Sequence, residues 1–199
     1  MVKILLEHSS ADKMDQSQAI FEYLGRVKDP EIPVLSLHDM GILRGVGIAS
    51  TDHPNSTEAM QSFRELHPDA PEENAEYIYK ITISPTYVGC PAMDRMAQDI
   101  SESMYARQLP FFIEEQIKPA WTTDWITPEG IEKMEAYGIA PPVKGSSDKR
   151  VLFAAAPNVK CPRCKSSKTE LVSAHGSTAC KSLYKCQSCL EPFEYFKCL

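Results

Sequence analysis

Two Cys-x2-Cys pairs constrain this chain more than any other feature. Cys161-Pro-Arg-Cys164 and Cys186-Gln-Ser-Cys189 are separated by 21 residues. Two thiolates from one tight turn and two from another can close a tetrahedral shell with no open position, the geometry of a structural zinc ribbon. The same four ligands can hold an iron–sulfur cluster, so both readings stand at this level. Alternating polar and apolar residues near Lys168–Ser173 and Lys181–Lys185 predict the ribbon's strands, with a larger loop over Val172–Cys180. Residues 151–199 are few enough to need such a staple. Cys180 and Cys198 are left over, either as packed thiols or as accessory ligands of a second or transient cluster. No ligand is missing from the ribbon, so His175 is not needed there.

The 199 residues are 43% hydrophobic and 24% charged, which provides for a real core and excludes a disordered chain. Residues 1–150 carry 14 basic and 24 acidic side chains, whereas residues 151–199 carry 7 and 3. This asymmetry predicts an acidic body followed by a mildly basic one. The net charge of −6 weighs against nucleic acid as a partner, and only the positive tail leaves a nucleic-acid-binding ribbon as a minor alternative. Met1 to Ser10 lacks the roughly 7–15 apolar residues of a signal peptide. Nor is there a run approaching the ~18 apolar residues of a membrane span. The expectation is a cytoplasmic protein with no membrane contact, its cysteines kept reduced.

Hydrophobic periodicity predicts an α+β fold: a small α-β-β-α-β domain over residues 1–140, a linker over 141–157, and a cysteine-rich zinc-ribbon tail over 158–199. Ile20, Phe21, Leu24 and Val27 predict a helix from Asp15 to Val27, stopped by Asp29-Pro30. Strands are expected at Ile42–Ile48 and Glu76–Ser84, joined by a polar loop from Ser50 to Asn74 with one helical turn around Glu58–Leu66. A second helix runs from Pro91 to Arg107, burying Met93, Met96, Ile100 and Met104. Phe111–Ile117 gives a third strand, and Pro128–Tyr137 a short helix closed by Gly138.

Cys90 falls at a helix N-terminus, where unpaired N–H groups and the helix dipole favour a thiolate. It can be a reactive or metal-capturing cysteine, with Thr86 in reach of its sulfur, or a capping residue with an incidental thiol. Asp29 and Glu31, in a stiff Pro-flanked turn, can bind a cation beside it or serve only as caps.

Asp29-Pro30-Glu31-Ile32-Pro33, the Asp39-Met40-Gly41-Ile42 turn and Thr86-x-x-x-Cys90-Pro91 resemble the SufT-like domain family, which is linked to iron–sulfur cluster assembly. That family's marked cysteine corresponds to Cys90. Pro119-Ala-Trp-Thr-Thr-Asp-Trp125, Tyr137-Gly-Ile-Ala-Pro-Pro142, Gly176-Ser-Thr-Ala-Cys180-Lys181 and Glu191-Pro-Phe-Glu-Tyr-Phe-Lys-Cys198 resemble the PaaD (PaaJ) family. Its members are accessory subunits of the phenylacetyl-CoA epoxidase, a multicomponent monooxygenase of aerobic phenylacetate degradation. The likeness spans residues 18–48 and 76–199; the Ser50–Asn74 loop is longer than the family leads one to expect.

The resemblance implies an accessory role, not a catalytic one. No paired Glu-x-x-His helices for a di-iron bundle are visible, and no nucleotide-binding glycine motif. The leading expectation is a maturation factor in which Cys90, with Asp29, Glu31 and Thr86, transiently holds iron or an iron–sulfur cluster. The ribbon, with its structural zinc, docks the recipient, either the di-iron oxygenase or the iron–sulfur reductase component. The alternatives are an electron-transfer or structural subunit carrying a cluster in its tail, and a nucleic-acid-binding ribbon. A homodimer is compatible with all of them.

Overall fold

The computed structural model describes residues 10–143 and 158–197. Cys198 and most of the expected linker over 141–157 lie outside the described residues. Helix α1 (Ser10–Leu24) buries Ile20 and Leu24, one turn apart on one face. It ends earlier than expected, at Gly25, where a β-carbon would lie 3.1 Å from the Cβ of His38. Val27 instead packs on the core from the following loop.

That loop, residues 25–42, is folded by its own carboxylates. Asp29 Oδ1 accepts the backbone N–H groups of Glu31 (2.8 Å) and Ile32 (2.7 Å). Asp39 Oδ2 accepts from the Ser36 N–H at 2.9 Å, and the Asp39 N–H donates back to Ser36 Oγ at 3.1 Å. Burial opposes the charge on Asp39, but the Lys133 ammonium at 2.7 Å and the Ser36 N–H hold the carboxyl below its usual range. The turns drive Ile32, Leu35, Leu37 and Met40 into the interior.

Gly41 closes the loop at φ +62°, with Trp125 so near that a β-carbon would sit 2.5 Å from its carbonyl oxygen. Left-handed strain and the clash together should make Gly41→Ala cost about 3 kcal/mol. A urea titration should show the midpoint fall accordingly; an unchanged midpoint would contradict this packing.

Strands β1 (Leu43–Ala49) and β2 (Ile78–Ile83) pair antiparallel, with Val46 opposite Ile81. Strand β3 (Phe111–Glu115) lies parallel to β2, with Ile81 opposite Ile113, giving the order β1-β2-β3. Parallel pairing needs a crossover. Helix α3 (Ala92–Tyr105) provides it, and buries the expected Met93, Met96, Ile100 and Met104. The β1–β2 connection differs from expectation: α2 (Ser56–Leu66) is a full helix that buries Phe63 and packs on β2 and β3. Its amphipathic face is short enough to pass for loop in a polar segment. Helix α4 (Pro128–Tyr137) has the expected bounds, capped by the Thr127 hydroxyl and closed by Gly138 at φ +97°.

The tail forms an antiparallel sheet of β5 (Thr169–Ser173), β6 (Lys181–Cys186) and β7 (Pro192–Phe196). It gains a fourth strand from the first part: β4 (Ile139–Ala140) pairs parallel with β7, giving the order β4-β7-β6-β5. Cys180 and Phe196 then belong to the same buried cluster as Met40, Trp121 and Met134. Trp121 Nε1 donates to the Met40 carbonyl at 2.9 Å, and its ring meets Phe196 edge-on at 6.1 Å. Among the described residues, no helix is long and apolar enough to cross a membrane.

Candidate functional site

Each Cys-x2-Cys pair forms a tight knuckle at one end of the tail. The residue after each second cysteine, Lys165 (φ +62°) and Leu190 (φ +63°), is left-handed without being glycine. Such a conformation costs about 1 kcal/mol or more per residue, and persists only where the surroundings fix the turn. Ser166 and Ser188 hydroxyls join the knuckles at 2.7 Å. An Arg163–Glu191 ion pair also spans them, and Lys165 reaches Glu135 on α4.

The sulfurs of Cys161, Cys164, Cys186 and Cys189 all lie within 4.8 Å of one another. Two of the separations are 3.8 Å (Cys161–Cys189) and 3.5 Å (Cys164–Cys186). Zinc–sulfur bonds of about 2.3 Å place tetrahedral thiolates about 3.8 Å apart, so the four sulfurs fit a single ion. Cys186 is fully buried, and its sulfur accepts the N–H groups of Ser188 (3.4 Å) and Cys189 (3.5 Å). The Cys189 N–H, then that of Ser188, brings the Cys186 thiol down to about 6, so this ligand favours the thiolate near neutral pH. Among the described residues this is the one group of three or more potential ligands packed so closely. His175 is not in it.

A second concentration of reactive groups lies where the tail meets the first part. Cys90 precedes α3; its N–H bonds to the Tyr87 carbonyl at 3.2 Å, and its side chain is buried. The Tyr87 phenol is within electrostatic reach of the Cys90 thiol. Thr86 is half-buried in the same loop. Burial, the Cys90 thiol and the nearby Glu31 and Cys180 push the phenol up to about 12. Two thiols and a carboxylate therefore lie within electrostatic reach of Tyr87.

Cys180 comes from the loop before β6 and is buried. Its sulfur lies 3.4 Å from Glu31 Oε2 and 3.0 Å from the Thr178 hydroxyl. Burial and the Glu31 carboxylate push this thiol up to about 12. Asp29 is near as well, but one of its oxygens is committed to the turn, and burial raises its carboxyl. The buried Lys181 pairs with Glu194 at 3.1 Å, and Glu194 also accepts the Ser177 N–H at 2.9 Å. These contacts hold the Gly176–Cys180 loop in place. Of the expected set, Glu31 and Cys90 both act electrostatically on Tyr87, and Asp29 forms the turn that carries Glu31.

Tyr87 and the Lys181–Glu194 pair went unnoticed in the sequence. The Gly176-Ser-Thr-Ala-Cys180-Lys181 segment did carry a signal, but its role depends on a contact with a residue 149 positions away.

Residues 145–197 match the family described as the PaaD zinc beta ribbon domain. The chain resembles a crystal structure titled as a domain of unknown function, DUF59, from Bacillus anthracis. The two are 15% identical with a TM-score of 0.46, covering 63% of this chain and 97% of that one. It is also 39% identical to an Escherichia coli (strain K12) protein named as a putative subunit of 1,2-phenylacetyl-CoA epoxidase. That match extends over 185 residues, 92% of this chain and 94% of the relative. With a four-cysteine ribbon in the matched region and this identity along nearly the whole of both chains, the protein belongs to the PaaD family of phenylacetyl-CoA epoxidase subunits.

Proposed function

We propose that this protein is an accessory maturation factor of a phenylacetyl-CoA epoxidase, assisting delivery of iron or an iron–sulfur cluster to a partner subunit. The observation that carries the reading is the buried Cys90 thiol in the same core cluster as Cys180, whose sulfur lies 3.4 Å from the Glu31 carboxylate, away from the ribbon. A thiol and a carboxylate at one buried corner suit iron as passing cargo: they hold it without the closed tetrahedral shell that would keep it. Cys90 is the primary cargo ligand and Glu31 its neighbour; Thr86 and Asp29 shape the loops that present them. Zinc in the ribbon is the resident metal. The span of four sulfurs suits one ion, and thiolates around a polynuclear cluster stand further apart. The ribbon then docks the recipient, the di-iron oxygenase or the iron–sulfur reductase.

The test uses cells that make the epoxidase but lack this chain. The iron content and activity of the epoxidase components should fall several-fold, and return when the wild-type chain is restored. Cys90→Ser should leave both low. Full recovery of iron and activity with Cys90→Ser would overturn the proposal.

A further inference from the structure

The ribbon does more than sit beside the first part, because its Cys180 is buried in the same core cluster as Cys90. Cys180 lies 3.4 Å from Glu31 Oε2, and Cys90 and Cys180 belong to one buried cluster. We infer that Cys90 and Cys180, with the Glu31 carboxylate, form a second site for a thiophilic divalent metal, built across the junction so that each part of the chain gives one thiol. This second site deepens the maturation reading and rests on it, adding a ligand from the tail.

Three features support a site rather than three neighbouring residues. Cys180 is held on both sides: the Lys197 N–H donates to its carbonyl at 3.0 Å, and the Ser177 N–H, earlier in the same loop, is anchored on Glu194. Glu31 is set by a turn whose N–H groups are fixed on Asp29. The loop bearing Cys90 is open on its other side. Val88 is 80% exposed, and Gly89, at φ +80°, has nothing within 4 Å of where a β-carbon would stand.

Two walls are therefore held by hydrogen bonds, and the third is carried by an exposed loop. The ribbon sulfurs already cluster within 4.8 Å, whereas these three groups do not form such a group. Binding thus requires the Tyr87–Gly89 loop to bring Cys90 inward. Binding a divalent ion replaces two S–H bonds by two sulfur–metal bonds and releases two protons to solvent, with no electron exchanged. A shell that must close to bind and can reopen suits a carrier.

The test is an anaerobic titration of the full zinc-loaded chain with Co²⁺, followed by thiolate-to-cobalt absorption. Wild type should take up one cobalt beyond the ribbon zinc. Cys90→Ala and Cys180→Ala should each weaken binding about tenfold or more and remove about half of the thiolate absorption. Cys180→Ser, which keeps the volume of the junction, should behave like Cys180→Ala, and the ribbon zinc should stay in place in every variant. If Cys180→Ala binds cobalt as wild type does while Cys90→Ala does not, the ribbon's share in the site is refuted and the maturation role of Cys90 stands. If wild type takes up no cobalt beyond the zinc, the site is refuted, and iron transfer is judged on its own assay.

Discussion

Replacing Cys186 by serine should empty the ribbon of metal and unfold it. Cys186 is the most deeply placed of the four ligands, with two N–H groups directed at its sulfur. A hydroxyl there would neither ionise near neutral pH nor bond zinc well. Structural zinc contributes about 10–16 kcal/mol to folding small sites of this type, so a large part of the tail's stability should go with it. Zinc should fall from about one per chain to near none, and the β5–β7 amides should lose their protection from hydrogen exchange. Because Phe196 and Cys180 lie in the core of the first part, the damage should spread. A net loss of about 5 kcal/mol would lower the melting temperature by on the order of 10 °C or more for a chain of this size. Cys186→Ser protein that keeps one zinc and its melting temperature would show that the four sulfurs are not a metal site.

The second large effect is expected at Trp121, which ties the tail to the Met40 turn. Only 5% of Trp121 is exposed; its indole N–H satisfies the Met40 carbonyl and its ring packs on Phe196. Trp121→Ala removes a large buried ring and leaves a buried carbonyl without its donor, at about 3–5 kcal/mol. Trp125 offers an internal control. Its ring is half-buried under the Arg44 guanidinium, 3.6 Å from the centroid, and Trp125→Ala should cost about 1 kcal/mol. Urea unfolding of the two variants separates these values, and equal losses would contradict the shared core.

The parts of this fold that were legible in the sequence are those set by local chemistry. Helix α4 could be bounded to the residue because Pro128 and Gly138 each have a fixed meaning at helix ends. The buried stripe of α3 and the alternation in β2 follow from periods of 3.6 and 2. The ribbon cysteines were legible because four ligands at short spacing have few other uses. Helix α2 was harder to see, since its polar residues and few apolar anchors give it no advantage over loop until Phe63 finds the sheet. Strand β4 was not visible at all: two residues carry no period, and Ile139–Ala140 become a strand only through β7.

The same division runs through the candidate site. Cys90 could be placed at a helix start from Pro91 alone, but its companions could not. Asp29 and Glu31 stand close together in sequence, yet the first turns inward to hold the loop while the second faces Cys180. Which of two neighbouring carboxylates faces a thiol depends on the turn geometry and on the tail folding back, and neither has a local signature. The motifs behind the family resemblance divide likewise. Asp39 and Gly41 build the turn under Trp125, whereas Cys90 and Cys180 are buried cysteines of the same core cluster.

The most direct test of the account is transfer itself. Wild-type and Cys90→Ser chains, both carrying zinc in the ribbon, are incubated anaerobically with iron-57 and passed to iron-depleted epoxidase components with a chelator present to scavenge free iron. The account predicts that wild type delivers iron to a component and restores its activity, while Cys90→Ser leaves it at the level of the chelator control. Equal delivery by the two chains would contradict it.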